Sequence, residues 1–500
     1  MIKSSSLALY ELLYLFFDIS YIYTAWWFMD KYNKLINNSF VFAIGSFGSK
    51  IIVLLLVPLY THYLTSENYG VVDLLTSTQA LVLPFITLTL EQAILRFVVN
   101  EQDREKIKSY FSSSVFIIFV SFAIFTVLIL IFYYIEYWDR KLLLYFYLLI
   151  CVSSCQVILS THLRALGKSK LYALNGIIQV LVLLCCNFLF LVYLKMGTDG
   201  YLISLILSYL ISSIYCLIVM DGFYFSTSLI NKLTLKMVLL FSIPLIPNYS
   251  MWWLVNNSTR YVVLGFLGLQ ANGLFAVASK IPMCVNMFVT VFQQAWQLSA
   301  FEEFNSSDRS KYYSSVFRYY YQFLFLVASF LLVINKFIFT YAISDGFYEA
   351  WKMVPFLVLS VLYQTFSAFL GTIYTANFST RSVFLTSAIG AAIAIVSNFF
   401  FIPFLGEEFV GVGACLGFFI MWAMRLHDTR KIVYILIRKY EFFVLNLLFV
   451  IQILLALIFP DVSLFHYTAL QLFLFIIVLF ITKEFITSLL VMLKKRILIL

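Results

Sequence analysis

Three basic residues interrupt apolar stretches that are long enough to cross a membrane: Lys50, Arg260 and Lys280. A charged side chain inside a bilayer is costly, so we expect it to face a polar cavity or an oppositely charged partner. Lys50 stands near the middle of the stretch 42–60, where roughly 15 Å of helix separates it from each interface, farther than a lysine stem reaches. Snorkelling, a shifted helix start or an ion pair are the alternatives for Lys50, and an interface anchor is the alternative for Arg260. Together the three residues predict a cationic cavity that binds an anionic ligand.

Basic residues near the ends of the apolar stretches could bind the ligand, determine membrane topology or contact lipid headgroups. Arg96 and Arg381 are additional candidates for binding the same anionic ligand. The basic group within residues 425–439 is expected to determine membrane topology and to contact lipid headgroups. Arg318 precedes three consecutive tyrosines, Tyr319–Tyr321, and this pattern is typical of an aromatic belt at the membrane interface.

Two acidic residues flank an apolar stretch that also contains Pro84. A buried carboxyl group beside a break in a helix can take up a proton or Na⁺ and so couple transport to an ion gradient. Asp73 and Glu91 are therefore candidates for ion coupling. The simpler alternatives are stabilisation of the first helical turn for Asp73 and an ion pair with Arg96 for Glu91.

Prolines indicate where the predicted helices could bend. A proline inside a helix removes a backbone hydrogen bond and clashes with the preceding turn, which kinks the helix. We therefore expect four prolines to act as hinges during a conformational change: Pro84, Pro244, Pro247 and Pro282.

The composition is that of a membrane protein. Of the 500 residues, 63% are hydrophobic and 11% are charged, whereas soluble domains carry about 25% charged residues. The formal charge of +9 does not arise from a basic cluster interleaved with aromatics on a soluble domain, so we expect no nucleic-acid partner. The seven cysteines lie in apolar stretches and the four histidines are scattered, so we expect no metal site and no cofactor beyond a coupling H⁺ or Na⁺.

About fourteen stretches have the roughly 20 apolar residues that a membrane-spanning helix needs. The loops between them are too short to hold a soluble domain, so the expected fold class is an all-α multi-pass membrane protein. The predicted spans are 39–61, 70–95, 111–134, 142–163, 171–194, 200–220, 237–257, 261–299 (in one or two pieces), 319–340, 353–376, 383–402, 409–427, 441–459 and 465–482.

The distribution of positive charge predicts the orientation. If the amino terminus is cytoplasmic, most of the 33 Lys and Arg residues fall in alternate loops on the cytoplasmic side, as the positive-inside rule requires. A missed or additional helix would invert this bias in every later loop. We therefore expect an even number of spans with both termini in the cytoplasm.

Residues 1–28 do not fit this pattern. They are apolar and aromatic but are interrupted by Glu11 and Asp18, and no cleavage site of a signal peptide follows a short apolar core. Met29 opens a polar lead-in to the first span, MDKYNKLINNSF. We expect Met29 to be the native start, with an interfacial helix over residues 1–28 as the alternative.

An internal repeat relates the two halves of the chain. The segment LTSENYGVVDLLTS (64–77) aligns with LGLQANGLFAVASK (267–280), and the alignment pairs Gly70 with Gly273. Six helices per repeat preserve orientation across the membrane, so the halves would be parallel repeats with the transport path between them. The predicted organisation is an extension at 1–28, six-helix lobes at 29–236 and 237–440, and two additional helices within 441–500.

Three stretches carry a resemblance to a known family. They are IGSFGSKIIVLLLVPLYTHYLTSENYGVVDLLTS (44–77), IPLIPNYSMWWLVNNSTRYVVLGFLGLQANGLFAVASKI (243–281) and NFFFIPFLGEEFVGVGACL (398–416). These stretches resemble the polysaccharide (O-antigen) flippases of the multidrug/oligosaccharidyl-lipid/polysaccharide (MOP) exporter superfamily. The resemblance implies two MATE-like lobes and a transporter of the bacterial inner membrane rather than an enzyme. It also implies export of an undecaprenyl-diphosphate-linked oligosaccharide to the outer leaflet by alternating access, with an O-antigen polymerase and a chain-length regulator as candidate partners.

Two other functions compete with this interpretation. A multidrug or small-molecule antiporter of the same superfamily would favour an acidic cavity for cationic drugs, whereas the basic intramembrane residues favour an anionic cargo. A membrane-bound polymerase or glycosyltransferase would usually need a large extramembrane loop, and the sequence offers none.

Overall fold

The chain folds into apolar helices joined by short connections. The computed structural model describes residues 52–99, 101–135, 139–220, 225–377 and 379–488. Within these ranges, thirteen helices are long and apolar enough to cross a membrane. A shorter apolar helix, α1 (Ile52–Tyr63), precedes them; the sequence predicted about fourteen spans. The expected all-helical multi-pass class is therefore confirmed.

The first half of the described chain forms a bundle that we call the first lobe. Its helices after α1 are α2 (Ser66–Thr87), α3 (Leu90–Val98), α4 (Arg104–Ile135), α5 (Arg140–Ala165), α6 (Ser169–Asn187, continued by a π-helical turn over Phe188–Tyr193) and α7 (Gly197–Val219). Polar side chains connect these helices inside the lobe: Ser212 donates a hydrogen bond to Asn175 Oδ1 at 2.9 Å. Such bonds link helices effectively where no water competes.

The second half of the described chain contributes nine helices. Its helices are α8 (Lys232–Ser242), α9 (Ile246–Ala278), α10 (Lys280–Glu303), α11 (Arg309–Tyr341), α12 (Val354–Ala376), α13 (Thr380–Leu405), α14 (Val412–Thr429), α15 (Lys439–Ile458) and α16 (Leu464–Ile481). We call α9–α14 the second lobe and α15–α16 the additional helix pair. Helix α8 packs on α3 and α4 of the first lobe, so the chain crosses between the lobes at the start of α9.

Helix α9 reverses direction within its length. Gly268 has a φ of 83°, a left-handed value that glycine adopts without steric cost. The Arg260 guanidinium lies 5.2 Å from the ring centroid of Phe275, whereas about 22 Å would separate residues fifteen apart in a straight helix. The predicted 261–299 segment is therefore in two pieces. The part before Gly268 belongs to the seventh span, and the part after it belongs to the eighth.

The core of the second lobe is built from aromatic rings around α12. Trp296 stacks on Phe369 at 4.4 Å between ring centroids and donates a hydrogen bond to Thr372 Oγ1 at 2.8 Å. Tyr320 stacks on Phe292 at 3.9 Å. Tyr320 and Tyr321 are 4% and 0% exposed, so the prediction of an interfacial aromatic belt at these two residues is wrong; they belong to the core.

A buried arginine also departs from the sequence interpretation. Arg425 is only 2% exposed and lies between α12, α13 and α14. Its guanidinium donates to the Ser367 carbonyl at 2.8 Å, to Thr386 Oγ1 at 3.0 Å and to Ser387 Oγ at 2.8 Å. Arg425 therefore holds three helices together and does not contact lipid headgroups, contrary to the expectation for the 425–439 group.

The additional helix pair is attached to α11 at both of its ends. At one end, Glu441 accepts hydrogen bonds from Arg318 Nη2 at 2.9 Å and from the Tyr321 hydroxyl at 3.0 Å. At the other end, Lys336 Nζ donates to the carbonyls of Pro460 and Val462 at 2.7 and 2.9 Å. These contacts make α15 and α16 an extension of the second lobe.

Candidate functional site between the two lobes

The two lobes are joined by a buried ion pair. Arg260 Nε on α9 donates to Asp73 Oδ2 on α2 at 2.7 Å. The two side chains are 13% and 8% exposed, so little solvent screens their charges. Arg260 Nη1 also donates to Asn257 Oδ1 at 3.0 Å, which fixes the guanidinium. Asp73 is thus more than a stabiliser of its helical turn, and Arg260 is not an interface anchor.

A second cation lies beside this pair. Lys280 begins α10 and is close enough to Asp73 and Arg260 for its charge to interact with both. Two basic residues therefore lie around one carboxylate, and Arg260 is the one that is bound to it. Three of the residues that the sequence proposed for binding or coupling are thus brought together: Asp73, Arg260 and Lys280.

Tyrosines extend this cluster into the first lobe. Tyr60 contacts Tyr201 edge-to-face at 4.7 Å between ring centroids and Tyr69 at 6.2 Å, and its hydroxyl accepts a hydrogen bond from Asn187 Nδ2 at 3.0 Å. Tyr69 and Tyr201 interact electrostatically with Asp73. The cluster therefore combines basic side chains with buried aromatic hydroxyl groups, which are groups that can bind phosphates and sugars.

Further contacts between α2 and α9 close the lobes together. Trp253 Nε1 donates to the Ser77 carbonyl at 2.7 Å, and the hydroxyls of Thr78 and Tyr261 are 2.6 Å apart. We call these contacts, together with the Asp73–Arg260 pair, the lobe seam. It joins the lobes by directional polar bonds that a relative rotation would break.

The seam ends in a contact between two glycines. Gly70 and Gly273, which the repeat alignment pairs, lie where α2 crosses the part of α9 that follows Gly268. A Cβ atom at Gly273 would collide with the Ser66 carbonyl oxygen, and one at Gly70 would collide with the Leu269 carbonyl oxygen. Asn272 Nδ2 adds a hydrogen bond to the Gly70 carbonyl at 3.1 Å. Only glycine allows the two backbones to approach this closely.

The second span ends at a break in the helix between α2 and α3. Leu88 and Thr89 have φ values of 49° and 52°, a left-handed conformation that non-glycine residues adopt at a cost of roughly 1–2 kcal/mol each. Pro84 lies four residues before the break, inside α2. Breaks of this kind occur at ion and substrate sites in transporters, where strain is retained for function.

Glu91 lies directly after this break. One of its carboxylate oxygens is buried and has no hydrogen-bond partner among the described residues. The described ion pairs do not include one between Glu91 and Arg96, so the simpler alternative for Glu91 is not supported. A buried carboxylate without a cation is costly, and Glu91 can therefore gain stability by taking up a proton or a cation.

A second break lies beside the first. Helix α8 ends at Ser242, a 3₁₀ turn covers Ile243–Leu245, and α9 starts at Ile246, so Pro244 and Pro247 stand at a junction between helices. The Thr89 hydroxyl donates to the Ser242 carbonyl at 2.8 Å. The interruptions of the second and seventh spans are thus connected directly.

The remaining candidates from the sequence are not part of the cluster. Arg96 and Arg381 are exposed near the ends of α3 and α13. Pro282 lies in the first turn of α10, where the backbone N–H would have no helical partner, so a proline is tolerated there. Lys50 lies outside the described residues.

The sequence matches the model of one known protein family. A family model for polysaccharide biosynthesis proteins matches residues 35–297. A comparison with curated protein sequences found no match.

Solved structures share the fold at low sequence identity. The lipid II flippase MurJ in an inward closed conformation has a TM-score of 0.61 and 15% identity over 90% of this chain and 100% of its own. An inward-facing multidrug resistance MATE family transporter of the MOP superfamily has a TM-score of 0.57 and 14% identity over 79% and 93%. A MOP superfamily transporter from Pyrococcus furiosus, described by the reverse polarity of its binding pocket, has a TM-score of 0.56 and 12% identity over 80% and 95%. The match to the family model covers more than half of the chain, which therefore belongs to the family of polysaccharide biosynthesis proteins and has the fold of MOP transporters.

Proposed function

We propose that this protein is a flippase that moves an undecaprenyl-diphosphate-linked oligosaccharide, such as an O-antigen repeat unit, from the cytoplasmic to the outer leaflet of the bacterial inner membrane. The observation that carries this proposal is the Arg260–Asp73 ion pair between the lobes, with a second basic residue, Lys280, beside it. Family membership and the fold shared with a lipid II flippase support it. A binding site for cationic drugs would not be expected to place two basic residues around one carboxylate.

The ion pair suggests how cargo binding drives the conformational change. A diphosphate offers several oxygens to a guanidinium and can be bound in a bidentate manner. The cargo would therefore compete with Asp73 for Arg260, while Lys280 provides a second positive charge. Because Asp73 belongs to the first lobe and Arg260 to the second, this exchange would weaken the lobe seam at the moment when cargo is bound.

Alternating access then follows from rotation of the lobes. Opening of the seam would break the Trp253–Ser77 and Thr78–Tyr261 bonds, and the breaks at Thr89 and Pro244 would allow the second and seventh spans to bend. The polar headgroup would pass between the lobes while the polyprenyl chain stays in the lipid. With both termini in the cytoplasm, the exposed Arg96 and Arg381 would meet the diphosphate first, and Lys50 would add positive charge to the cavity.

Glu91 is the residue that we propose for coupling to H⁺ or Na⁺. Its buried, partnerless oxygen lies at the connection between the two broken spans. Uptake of a cation there would remove the cost of a buried charge and would change the stability of the bent conformation. Asp73 becomes a second coupling group only when Arg260 leaves it.

A deletion strain tests the proposed function. It should accumulate lipid-linked repeat units on the cytoplasmic leaflet and lose surface polysaccharide, and the wild-type gene should restore export. Arg260→Gln should fail to restore export although it inserts in the membrane, whereas the control Lys431→Gln, at an exposed residue, should succeed. Normal surface polysaccharide in the deletion strain, in the absence of a redundant flippase, would reject the proposal. An O-antigen polymerase and a chain-length regulator are the partners to seek by cross-linking in the wild-type strain.

A further inference from the structure

A cationic pocket lies away from the lobe seam, on the face that the positive-charge bias assigns to the cytoplasm. It is a cavity of about 400 Å³ between the first turns of α11 and the linker that joins α14 to α15. The linker is extended, so its side chains alternate in direction: Val433 and Ile435 are buried, whereas Tyr434 and Leu436 are exposed. The pocket therefore has an apolar rim on the linker side.

Three basic residues line the pocket: Lys311, Arg318 and Arg438. No carboxylate is part of its lining among the described residues; Glu441 and Glu484 are bound to Arg318 through Nε and Nη2, which fixes the guanidinium. The hydrogen bond from Arg318 lowers the pKa of the Glu484 carboxyl, which therefore remains ionised.

Arg438 is less fully engaged than Arg318. Its Nη1 lies 3.8 Å from Glu441 Oε2 and 3.6 Å from Glu484 Oε2, beyond hydrogen-bonding distance. The pocket lining thus holds three basic residues and, among the described residues, no acidic one. Arg438 is 54% exposed and can turn its donors toward a ligand.

Serine hydroxyls complete the lining. Ser310 lies in the first turn of α11, where the helix dipole is positive and favours an anion. Ser314 and Ser315 lie in the next turn. Ser314 Oγ accepts a hydrogen bond from the Leu436 N–H at 2.9 Å, which holds the linker against the helix. The Ser314 hydroxyl donates to the Ser310 carbonyl, so Ser310 and Ser315 supply the hydroxyls for a phosphate. They lie next to two guanidinium groups and an ammonium group, which suit its oxygens.

We propose that this pocket binds the phosphate headgroup of an anionic phospholipid. A free phosphate ion would need only the cations and hydroxyls, whereas the exposed Tyr434 and Leu436 on the rim give the glycerol and acyl chains of a lipid an apolar surface. Basic pockets at the cytoplasmic ends of membrane helices bind anionic headgroups in this manner. The bound lipid connects the second lobe, through α11, to the additional helix pair, through the linker, and the inference is independent of the cargo proposed above.

Native mass spectrometry of the purified protein tests this site. With phosphatidylglycerol as the probe, the double variant Lys311→Ala/Arg438→Ala should bind one lipid about thirty-fold more weakly, because each cation near an anionic headgroup contributes roughly fivefold. The matched control Arg430→Ala/Lys431→Ala removes two exposed cations from the same linker region outside the pocket lining and should bind like the wild type. Equal weakening in both double variants, or in neither, would overturn the site.

Further measurements identify the ligand and distinguish a loss of binding from a loss of folding. Ser315→Asp adds a carboxylate to the pocket without touching the ion pairs, so it should also lose phosphatidylglycerol even if the double variant does not fold. Phosphatidylcholine should bind no more tightly to the wild type than to Ser315→Asp. Displacement of phosphatidylglycerol by millimolar inorganic phosphate would show a free-anion site, and preference for undecaprenyl diphosphate would assign the pocket to the cargo; either result would overturn the proposal.

Discussion

Replacement of Gly273 by alanine should open the lobe seam. The added Cβ atom would collide with the Ser66 carbonyl oxygen, and this backbone atom cannot rotate away as a side chain would. Overpacking of this kind costs about 1–3 kcal/mol, which corresponds to a shift of about 5- to 150-fold in the ratio of closed to open seam. The population should therefore move toward conformations in which α2 and α9 are separated.

Distance measurements by double electron–electron resonance can detect this shift. Spin labels at Glu67 and Gln270, which are exposed beside the glycine contact, would be placed in a background without the seven native cysteines. Gly273→Ala should add or enlarge a population at longer distance. The control is Gly265→Ala on the same helix, where a Cβ atom meets no atom within 4 Å and the distance distribution should not change. An unchanged distribution in Gly273→Ala, with the protein folded, would refute the reasoning.

Three further predictions follow from the same contacts. Asp73→Asn removes the carboxylate that competes with the cargo for Arg260. A titration of this purified variant should therefore show that it binds a diphosphate lipid about tenfold more tightly than the wild type, by about 1.4 kcal/mol. Weaker binding, which is the result expected for Arg260→Gln, would contradict the exchange mechanism. Glu91→Gln removes the titrating group, so it should abolish the stimulation of transport by an imposed H⁺ or Na⁺ gradient without lowering Tm; retained stimulation would exclude Glu91 from coupling. Arg425→Met leaves the partners of the guanidinium unsatisfied and should cost roughly 2–4 kcal/mol of stability, seen as a lower Tm than for Arg430→Met, which changes an exposed residue.

The membrane class and thirteen of the spans could be predicted from the sequence because they depend on local hydropathy. Each span needs a certain length of apolar residues, and the charge of every loop gives an independent test of the count. The repeat alignment also paired Gly70 with Gly273, which lie in contact in the structure. Equivalent positions of a repeat can meet between the two halves of a protein. The contact between the two glycines depends on the packing of α2 against α9 and became visible only in the structure.

The partners of the charged residues could not be predicted in the same way. The sequence selected Asp73, Arg260 and Lys280 one at a time because each is expensive in a membrane, but an ion pair between residues so far apart in the chain depends on tertiary packing. The structural role of Arg425 was not predicted because this residue lies at the end of an apolar stretch. A basic residue at such a position usually determines membrane topology. The oxygens that accept the hydrogen bonds of Arg425 come from two other helices, α12 and α13.

The break after α2 is a backbone feature that the sequence did not predict. Pro84 suggested a hinge in this span, yet the helix continues past it and breaks at Leu88 and Thr89. Neither residue type favours a left-handed backbone, so no local signal marks the position. The connection of Thr89 to Ser242 accompanies the break, and tertiary contacts of this kind can hold a strained backbone that the sequence alone would not suggest.

The central claim is that the two lobes carry a diphosphate-linked oligosaccharide and that Arg260 and Lys280 bind its headgroup. The most direct measurement is translocation of a fluorescent undecaprenyl-diphosphate-linked oligosaccharide in proteoliposomes, read by a quencher that cannot cross the membrane. The account predicts transport by the wild type and by Lys431→Gln, and its loss in Arg260→Gln/Lys280→Gln. Transport of a cationic drug but not of the lipid-linked cargo by the wild type, or undiminished lipid transport by the double variant, would contradict it.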